Sequence, residues 1–249
     1  MSSANSIDSL FIELHQVEST NNYAMGLIHA GMAQHGTAVF AHHQTKGKGQ
    51  RQKQWVSAPG KNIILSIIVQ PVGLKINQQF LLSMSVAYAV RKFFNNYCKK
   101  NVKIKWPNDI YWCDRKAGGI LIENVLQGKD WKYAVIGIGL NINQVDFGND
   151  KKAISLAQIT GTEYDTITMA KELIHYVHTA FNKLISNSTQ ILKQYHKHLY
   201  KLNEKVPFKI KDKIVKATVK GVTENGLLIV QHHEKDEHYR AGEIEWMDN

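Results

Sequence analysis

The spacing of apolar residues predicts alternating strands and helices over most of the chain. Residues 62–69, NIILSIIV, are almost continuously apolar, which favours a strand buried on both faces. Shorter apolar runs predict further strands over residues 10–14, 37–42, 102–105 and 131–138. Apolar residues at helical spacing predict helices over residues 78–97, 168–185 and 190–202, and a first helix after residue 19 that Gly36 would close.

The pattern changes to short strands near the C-terminus. These predicted strands span residues 206–210, 214–222, 226–231 and 237–241. Between two of them, Asn225-Gly226 is a hairpin turn signal. We therefore predict two domains, a larger one over residues 1–202 and a small β-barrel over residues 203–249.

Length and composition narrow the class of protein. The chain has 249 residues, enough for one large domain or a large domain with a small one. It contains no run of about 18 uncharged apolar residues, so we expect no transmembrane helix and no membrane partner. The N-terminus lacks a basic segment followed by a long apolar one, so we expect no signal peptide. Two cysteines, Cys98 and Cys113, suit a reducing compartment, and we expect a cytoplasmic protein.

The formal net charge of +10 admits nucleic acid, an acidic protein or a phosphate-bearing ligand as partner. The lysines are spread along the whole chain and no zinc-finger or RNA-motif signature is present, which argues against a nucleic-acid partner. We expect no DNA binding. The pairs His42-His43 and His232-His233 would point to opposite faces of a strand, so we expect no transition-metal site.

Residues 105–124, KWPNDIYWCDRKAGGILIEN, carry the densest chemistry in the chain. The adjacent glycines Gly118 and Gly119 let a backbone approach a ligand closely. Lys116, just before them, can place a positive charge on a carboxylate or phosphate. A plain β-hairpin would explain the glycines and the Pro-Asn-Asp turn, but it would not explain the lysine between them.

A glycine-rich basic segment precedes this stretch. Residues 44–55, QTKGKGQRQKQW, alternate glycine with lysine and arginine, and such a loop can wrap backbone N–H groups and cations around phosphate oxygens. Neither the Walker A spacing nor GxGxxG is present. A flexible solvated loop is an equally good interpretation. Trp55 could stack on a flat base or pack on the loop itself.

Two smaller polar segments allow a structural and a functional interpretation. Residues 19–22, STNN, include at least one N-cap for the first helix, and the other side chains are free to hydrogen-bond a ligand. Residues 137–143, GIGLNIN, place glycines at a predicted strand end with an amide just beyond. That pattern is typical of a bend at a binding site or of an ordinary turn.

Four of these motifs together resemble the biotin–protein ligase family, the biotin–[acetyl-CoA-carboxylase] ligases. The family pattern reads GRGRxGRxW, KWPND, KxGGILxE and GxGxN in that order. This chain has GKGQRQKQW, KWPND, KAGGILIE and GIGLN at residues 47–55, 105–109, 116–123 and 137–141. The resemblance covers residues 19–143 and is closest to the short form that lacks an N-terminal DNA-binding domain, so a repressor role is not implied.

The resemblance implies an α+β fold. The catalytic domain would be a mixed β-sheet flanked by helices, as in class II synthetase-like biotin/lipoate ligases, followed by a small C-terminal SH3-like β-barrel. It also implies two half-reactions: biotin and Mg-ATP give biotinyl-5′-AMP and pyrophosphate, and a lysine of a biotin carboxyl carrier protein then takes the biotin and releases AMP. ATP, Mg²⁺ and biotin are the implied ligands, and we expect a monomer or weak homodimer.

The resemblance assigns roles to particular residues. Lys116 would be the catalytic residue, lying between the biotin carboxylate and the α-phosphate. The implied biotin-binding residues are Ser19, Thr20, Asn21, Gln44, Gly47, Lys48, Gly49, Gln50, Lys116 and Gly119. The implied ATP-binding residues are Lys48, Gln50, Arg51, Lys53, Trp55, Asn108, Lys116 and Asn141. Asp109 would orient the acceptor lysine or help to place Mg²⁺. The basic loop would be mobile when empty and would close over the adenylate.

The chain departs from the family pattern in the basic loop. Lys48 and Gln50 stand where the family usually has arginine, and lysine keeps the charge but loses the bidentate fork. Gln52 replaces a usual glycine. We expect these changes to affect retention of the adenylate more than activity. The alternatives are a lipoate ligase or octanoyltransferase of the same architecture and, in a different class, a non-catalytic nucleic-acid-binding module; the basic loop followed by KWPND favours biotin.

Overall fold

The computed structural model describes residues 10–186 and 188–247. Its larger sheet has seven strands in the order β1-β2-β3-β7-β6-β5-β4. Strands β1 and β2 are parallel and every other neighbouring pair is antiparallel, so the sheet is mixed as predicted. The strands are β1 Phe11–Val17, β2 Ala38–Gln44, β3 Ile63–Val69, β4 Val102–Lys105, β5 Asp109–Trp112, β6 Arg115–Gln127 and β7 Asp130–Leu140.

Helices cover both faces of this sheet. They are α1 Thr20–His29, α2 Gln79–Cys98, α3 Leu156–Thr160, α4 Thr166–Ser186 and α5 Ser188–Lys197. Helix α1 packs on one face against Val39, Ile68 and Val135. Their chain neighbours Phe40 and Ile136 point to the other face, into the core shared with α2, α4 and α5. Every residue of β3 is buried, which confirms the prediction of a strand covered on both sides.

Two predicted helix ends are wrong. Helix α1 ends at His29 rather than at Gly36, because Gly31 takes up the left-handed conformation that terminates a helix (φ 69°). Helix α5 ends at Lys197 rather than at residue 202. The chain instead turns beside β4, where Ile104 N donates to His198 O and Tyr200 N donates to Ile104 O.

The C-terminal strands form an open sheet. Strands β8 Lys205–Ile210, β9 Lys213–Val222, β10 Leu228–His232, β11 Lys235–Tyr239 and β12 Ile244–Trp246 are ordered β11-β10-β9-β8-β12. All pairs are antiparallel, and the Asn225-Gly226 turn joins β9 to β10 as predicted. In the described part of the chain no ladder joins β11 to β12. The predicted SH3-like barrel is therefore corrected to an unclosed antiparallel sheet, consistent with an SH3-like domain.

The small sheet packs against the larger one. Trp106 Nε1 donates to Gly226 O at 3.0 Å, and Trp246 Nε1 donates to Trp106 O at 3.1 Å. Phe208 and Val230 belong to the same continuous core as the seven-stranded sheet. The small sheet buries its apolar face on its neighbour, which gives it a core without closure of a barrel. The domain boundary after residue 202 stays a prediction.

None of the described helices has the length and apolar character needed to cross a membrane.

Candidate active site

The first turn of α1 directs polar side chains onto the sheet. Ser19 is the N-cap, and its hydroxyl accepts from Asn22 N at 3.4 Å, so the predicted capping role is confirmed for this residue. Thr20 and Asn21 follow in the first turn and are buried. Helix geometry therefore delivers a hydroxyl and an amide to the sheet surface, next to the end of β2.

A buried hydrogen-bond network joins these residues to neighbouring strands. Gln44 Oε1 accepts from Thr20 N at 2.7 Å and from Thr20 Oγ1 at 3.1 Å. The Ser66 hydroxyl lies 2.8 Å from Thr20 Oγ1 and 2.6 Å from Asn21 Oδ1. Asn21 Nδ2 donates to Glu123 Oε2 at 2.7 Å. Thr20, Asn21 and Gln44, predicted together, are thus brought together by the fold.

Sequence reasoning missed two members of this network, Ser66 and Glu123. Ser66 is the single polar side chain in the apolar run of β3, and it is completely buried. Glu123 ends the KAGGILIE motif, where no role was predicted for it. A buried hydroxyl inside an otherwise apolar strand is a signal that could have identified the first.

The glycines of β7 form the floor beside this network. Gly137 and Gly139 lie inside a continuous strand paired on both sides with β3 and β6, so the bend predicted over residues 137–143 does not lie at the glycines but follows the strand, at residues 142–143. A Cβ at Gly137 would lie 3.0 Å from Asn21 Nδ2, and one at Gly139 would lie 2.5 Å from Trp55 Cε2. The missing side chains let Asn21 and the Trp55 ring approach the backbone.

Lys116 lies on β6, the strand next to the one that carries these glycines. Its Nζ is 2.8 Å from Asp109 Oδ1 and 6.0 Å from the centroid of the Trp55 ring. A Cβ at Gly119 would lie 3.3 Å from Asp109 Oδ1, so the glycine leaves room for the ion pair. Strands β5 and β6 form the β-hairpin considered from sequence, and the lysine and aspartate project from it.

The side-chain amides of Asn108 and Asn141 donate hydrogen bonds to backbone carbonyls near Lys116. Asn108 Nδ2 donates to Ile120 O at 2.7 Å, and Ile120 N donates to Asn108 O at 3.0 Å. Asn141 is buried, and its Nδ2 donates to Ile154 O at 3.2 Å and to Lys116 O at 3.4 Å. Both side chains hold strands in place, and their predicted contacts with a nucleotide stay predictions.

The basic loop is a folded hairpin over the site. Trp55 N donates to Gly47 O at 2.9 Å, Gly49 N donates to Lys53 O at 2.7 Å, and a single turn of 3₁₀-helix spans Gln50–Gln52. A Cβ at Gly47 would lie 2.8 Å from Gln44 Nε2, so this glycine allows the loop to sit on the network. The predicted mobility of the empty loop stays a prediction.

The cations of this loop point in different directions. Lys48 Nζ lies 3.2 Å from Glu123 Oε1, over the polar network. The Arg51 guanidinium instead contacts the backbone of Gly242, in the turn between β11 and β12, where a Cβ would overlap it. Lys53 is exposed. Of the three predicted phosphate-binding cations, Lys48 is the one that the structure brings to the network.

Among residues 10–186 and 188–247, no group of three or more His, Cys, Asp and Glu side chains could hold a metal ion. His42 Nε2 lies 2.8 Å from Glu13 Oε1, and His43 Nδ1 lies 3.1 Å from Gln16 Oε1, so these neighbours have separate polar partners. Magnesium bound with a nucleotide uses phosphate oxygens, water and one or two carboxylates. The partly exposed Asp109 carboxylate, beside Lys116, fits such a site.

The fold and site define a small-molecule-binding α+β protein with a cationic loop over a buried polar network. The chain belongs to the Biotin/lipoate A/B protein ligase family, which matches residues 13–141. This confirms the resemblance seen in the motifs.

Individual relatives agree with this assignment. The Bifunctional ligase/repressor BirA of Escherichia coli (strain K12) is 29% identical over 236 residues, which cover 92% of this chain and 71% of that protein. The Biotin--[acetyl-CoA-carboxylase] ligase of Mycobacterium tuberculosis is 30% identical over 162 residues, covering 64% of this chain and 59% of that protein. The biotin protein ligase from Aquifex aeolicus, solved in complex with biotin and ATP, has the same fold, with a TM-score of 0.81 at 22% identity over 96% of this chain and 99% of that one.

Proposed function

We propose that this protein activates biotin with ATP to biotinyl-5′-AMP and transfers biotin to a lysine of a biotin carboxyl carrier protein. Family membership supports the ligase activity. A relative named Biotin--[acetyl-CoA-carboxylase] ligase and a structural neighbour bound to biotin and ATP support the two small substrates. The acetyl-CoA carboxylase in the relative's name supports a carboxylase carrier domain as the protein substrate. Absence of DNA binding, a monomer or weak homodimer, and a cytoplasmic location stay predictions.

The observation that supports the proposal most directly is that the buried polar network and Lys116 lie beside the same strand, β7. Gly137 and Gly139 are two residues apart on one strand, so they face the same side at a separation of about 7 Å. Asn21 lies over the first glycine and Trp55 over the second, with Lys116 6.0 Å from the Trp55 ring. This order suits a ligand with a hydrogen-bonding ring at one end and an anion at the other.

The network favours biotin over lipoate. The ureido ring of biotin has two N–H donors and a carbonyl acceptor, which can pair with hydroxyl and amide groups such as Thr20, Asn21, Gln44 and Ser66. The dithiolane ring of lipoate has neither kind of group, so it would gain none of these hydrogen bonds. A melting experiment with biotin or lipoate, each with ATP, separates the two activities.

In the first half-reaction two anions must meet. A carboxylate oxygen of biotin attacks the α-phosphorus of ATP, the bond from that phosphorus to the bridging oxygen breaks, and pyrophosphate leaves. Lys116 would neutralise the reacting oxygens, and Lys48 of the loop would add a second charge from above. Trp55 offers a flat surface for the nucleotide base. Magnesium, held by the phosphates and Asp109, would supply further charge neutralisation.

In the second half-reaction an amine displaces AMP. The carrier lysine nitrogen attacks the carbonyl carbon of the mixed anhydride, the bond from that carbon to the AMP oxygen breaks, and the proton of the amine passes to solvent water. Asp109 is paired with Lys116 at 2.8 Å in the structure. When Lys116 turns to the ligand anions, the Asp109 carboxylate becomes available to orient the incoming amine.

The experiment is biotin-dependent pyrophosphate release by the wild type and by Lys116→Ala, with Lys129→Ala as control. Lys129 is exposed in the turn between β6 and β7, so its loss should change neither fold nor rate. We expect Lys116→Ala to lose at least about 10²–10³-fold in rate while keeping the wild-type melting temperature. A folded Lys116→Ala variant with near wild-type release would refute the assignment of this lysine.

A further inference from the structure

Glu123 stands between the two parts of the proposed site. Its Oε2 accepts from Asn21 Nδ2 at 2.7 Å, and its Oε1 lies 3.2 Å from Lys48 Nζ. The side chain is 27% exposed, so it is neither free in solvent nor sealed in the core. A single carboxylate thus contacts the network under α1 and the basic loop, using one oxygen for each.

The first contact contributes to the orientation of the Asn21 amide. Asn21 Nδ2 also donates to Leu121 O at 3.4 Å, while Asn21 Oδ1 faces the Ser66 hydroxyl at 2.6 Å. A carboxylate can only accept, so a flipped amide would place two oxygens against each other. Hydrogen bonds to a charged acceptor are also the stronger kind. Glu123, by the shorter of the two bonds, and the Leu121 carbonyl oxygen therefore hold the amide in one of its two orientations.

The second contact ties the loop to the sheet. The Lys48 side chain is 41% exposed, and an ion pair with that exposure is weak enough to exchange with a ligand anion. The pair nevertheless holds the ammonium 3.2 Å from Glu123 Oε1, beside the network. Two other cations of the segment have contacts of their own: Arg51 lies against Gly242 at the far end of the loop, and Lys46 Nζ lies 2.7 Å from Glu18 Oε1.

We propose that Glu123 is a positioning residue that couples recognition of the biotin ring to placement of the basic loop. Through Asn21 it sets the hydrogen-bonding pattern offered to the ring, and through Lys48 it holds a loop cation within reach of the ligand anions. This inference rests on the proposed function, because it assigns the network to biotin and the loop to the adenylate.

Three substitutions separate the two contacts. In Glu123→Gln the side-chain carbonyl still accepts from Asn21, but the charge that attracts Lys48 is gone. In Glu123→Ala both contacts are lost. Lys48→Met removes the loop contact alone, and Glu224→Gln, in the exposed turn between β9 and β10, is the matched control.

The readouts are the Kd for biotin alone, the KM for ATP and trypsin cleavage after Lys53 in the empty protein. We expect Glu123→Ala to weaken biotin binding by about tenfold or more and Glu123→Gln to keep it within about twofold. Glu123→Gln and Lys48→Met should each raise the KM for ATP about threefold or more and accelerate cleavage. The Glu123→Gln/Lys48→Met double variant should be no worse than Lys48→Met alone.

Wild-type biotin affinity in folded Glu123→Ala would overturn the inference, and so would multiplicative effects in the double variant. If Glu123→Ala does not fold, the Glu123→Gln and Lys48→Met results decide alone. Failure of the wild type to bind biotin would instead count against the proposed function, which keeps the two failures distinct.

Discussion

Replacing Gly137 with alanine tests whether the site depends on a missing side chain. Gly137 lies within β7, paired with Ser66 and Leu121, outside the left-handed region, so alanine meets no backbone strain there. Its Cβ would lie 3.0 Å from both Cγ and Nδ2 of Asn21, tighter than ordinary contact. Because the strand is held on both sides, the Asn21 side chain must move.

The magnitude follows from the bonds that Asn21 makes. Moving its amide breaks a hydrogen bond with a neutral partner, Ser66, and one with a charged partner, Glu123. Such bonds contribute about 0.5–1.5 and about 1.5–3 kcal/mol, so about 2–4.5 kcal/mol is at stake. If all of it fell on biotin binding, affinity would drop about 30- to 1,600-fold. The part that falls on folding appears as a lower melting temperature.

Calorimetric titration with biotin and a thermal melt measure the two parts together. Gly26→Ala is the control, because Gly26 is exposed in α1 with nothing within 4 Å of an added Cβ. We expect this control to gain about 0.5–1 kcal/mol of stability and to bind biotin normally. Asn21→Ala/Gly137→Ala should bind no more weakly than Asn21→Ala, since the added methyl then has room. Biotin affinity within twofold of the wild type in Gly137→Ala would show that the reasoning is wrong.

Three further predictions concern the loop, the nucleotide side and pH. Gly242→Ala should displace Arg51 and speed tryptic cleavage of the loop about threefold or more. Gly73→Ala, also at positive φ but in open space, should leave cleavage unchanged. Equal cleavage of the two variants would argue against the contact between Arg51 and Gly242. Gly139→Ala should push the Trp55 ring from the strand and raise the KM for ATP about fivefold or more, and an unchanged KM would remove Trp55 from the nucleotide site. Burial and the nearby charges of Arg91, Lys103 and Lys197 lower the pKa of His198 from its usual 6.5 to about 4. The neutral ring therefore contributes stability above pH 6.5, and this stability is lost as pH falls towards 4. The melting temperature should fall across that range, less steeply in His198→Gln than in the exposed-site control His238→Gln, and identical slopes would contradict this.

Much of the fold could be predicted from apolar spacing. The strand over residues 62–69 and the helix over residues 78–97 match β3 and α2 within a residue or two, because their burial requires continuous or periodic apolar side chains. Strand β6 was not predicted, since glycines and charged residues interrupt its pattern. It is held instead by pairing with β5 and β7, which spacing along one strand does not reveal.

Features that depend on contacts between elements could not be predicted. The small sheet has the short strands expected of a barrel, but its apolar face is covered by Trp106 and the larger core. Residues 198–202 continue the helical pattern, but they form turns with isolated bridges to Ile104 and Val219 instead. In each case tertiary contact overrides a local preference.

The candidate site, like the fold, could be predicted only in part. The resemblance to the family predicted that Thr20, Asn21 and Gln44 act together, and the fold joins them in one network. Sequence alone could not indicate that Glu123 contacts Asn21 and Lys48, because that link depends on α1, β6 and the loop meeting. Nor could it indicate that Arg51 rests on Gly242 in the other sheet.

The central claim is that this chain joins biotin to a protein lysine through an acyl-adenylate. The most direct measurement is the intact mass of a biotin carboxyl carrier domain after incubation with the protein, ATP, Mg²⁺ and biotin. We predict the mass increase of one biotinyl group, absent when ATP is omitted or when the acceptor lysine is replaced by arginine. An unmodified carrier, together with no biotinyl-5′-AMP in the same mixture, would contradict the account.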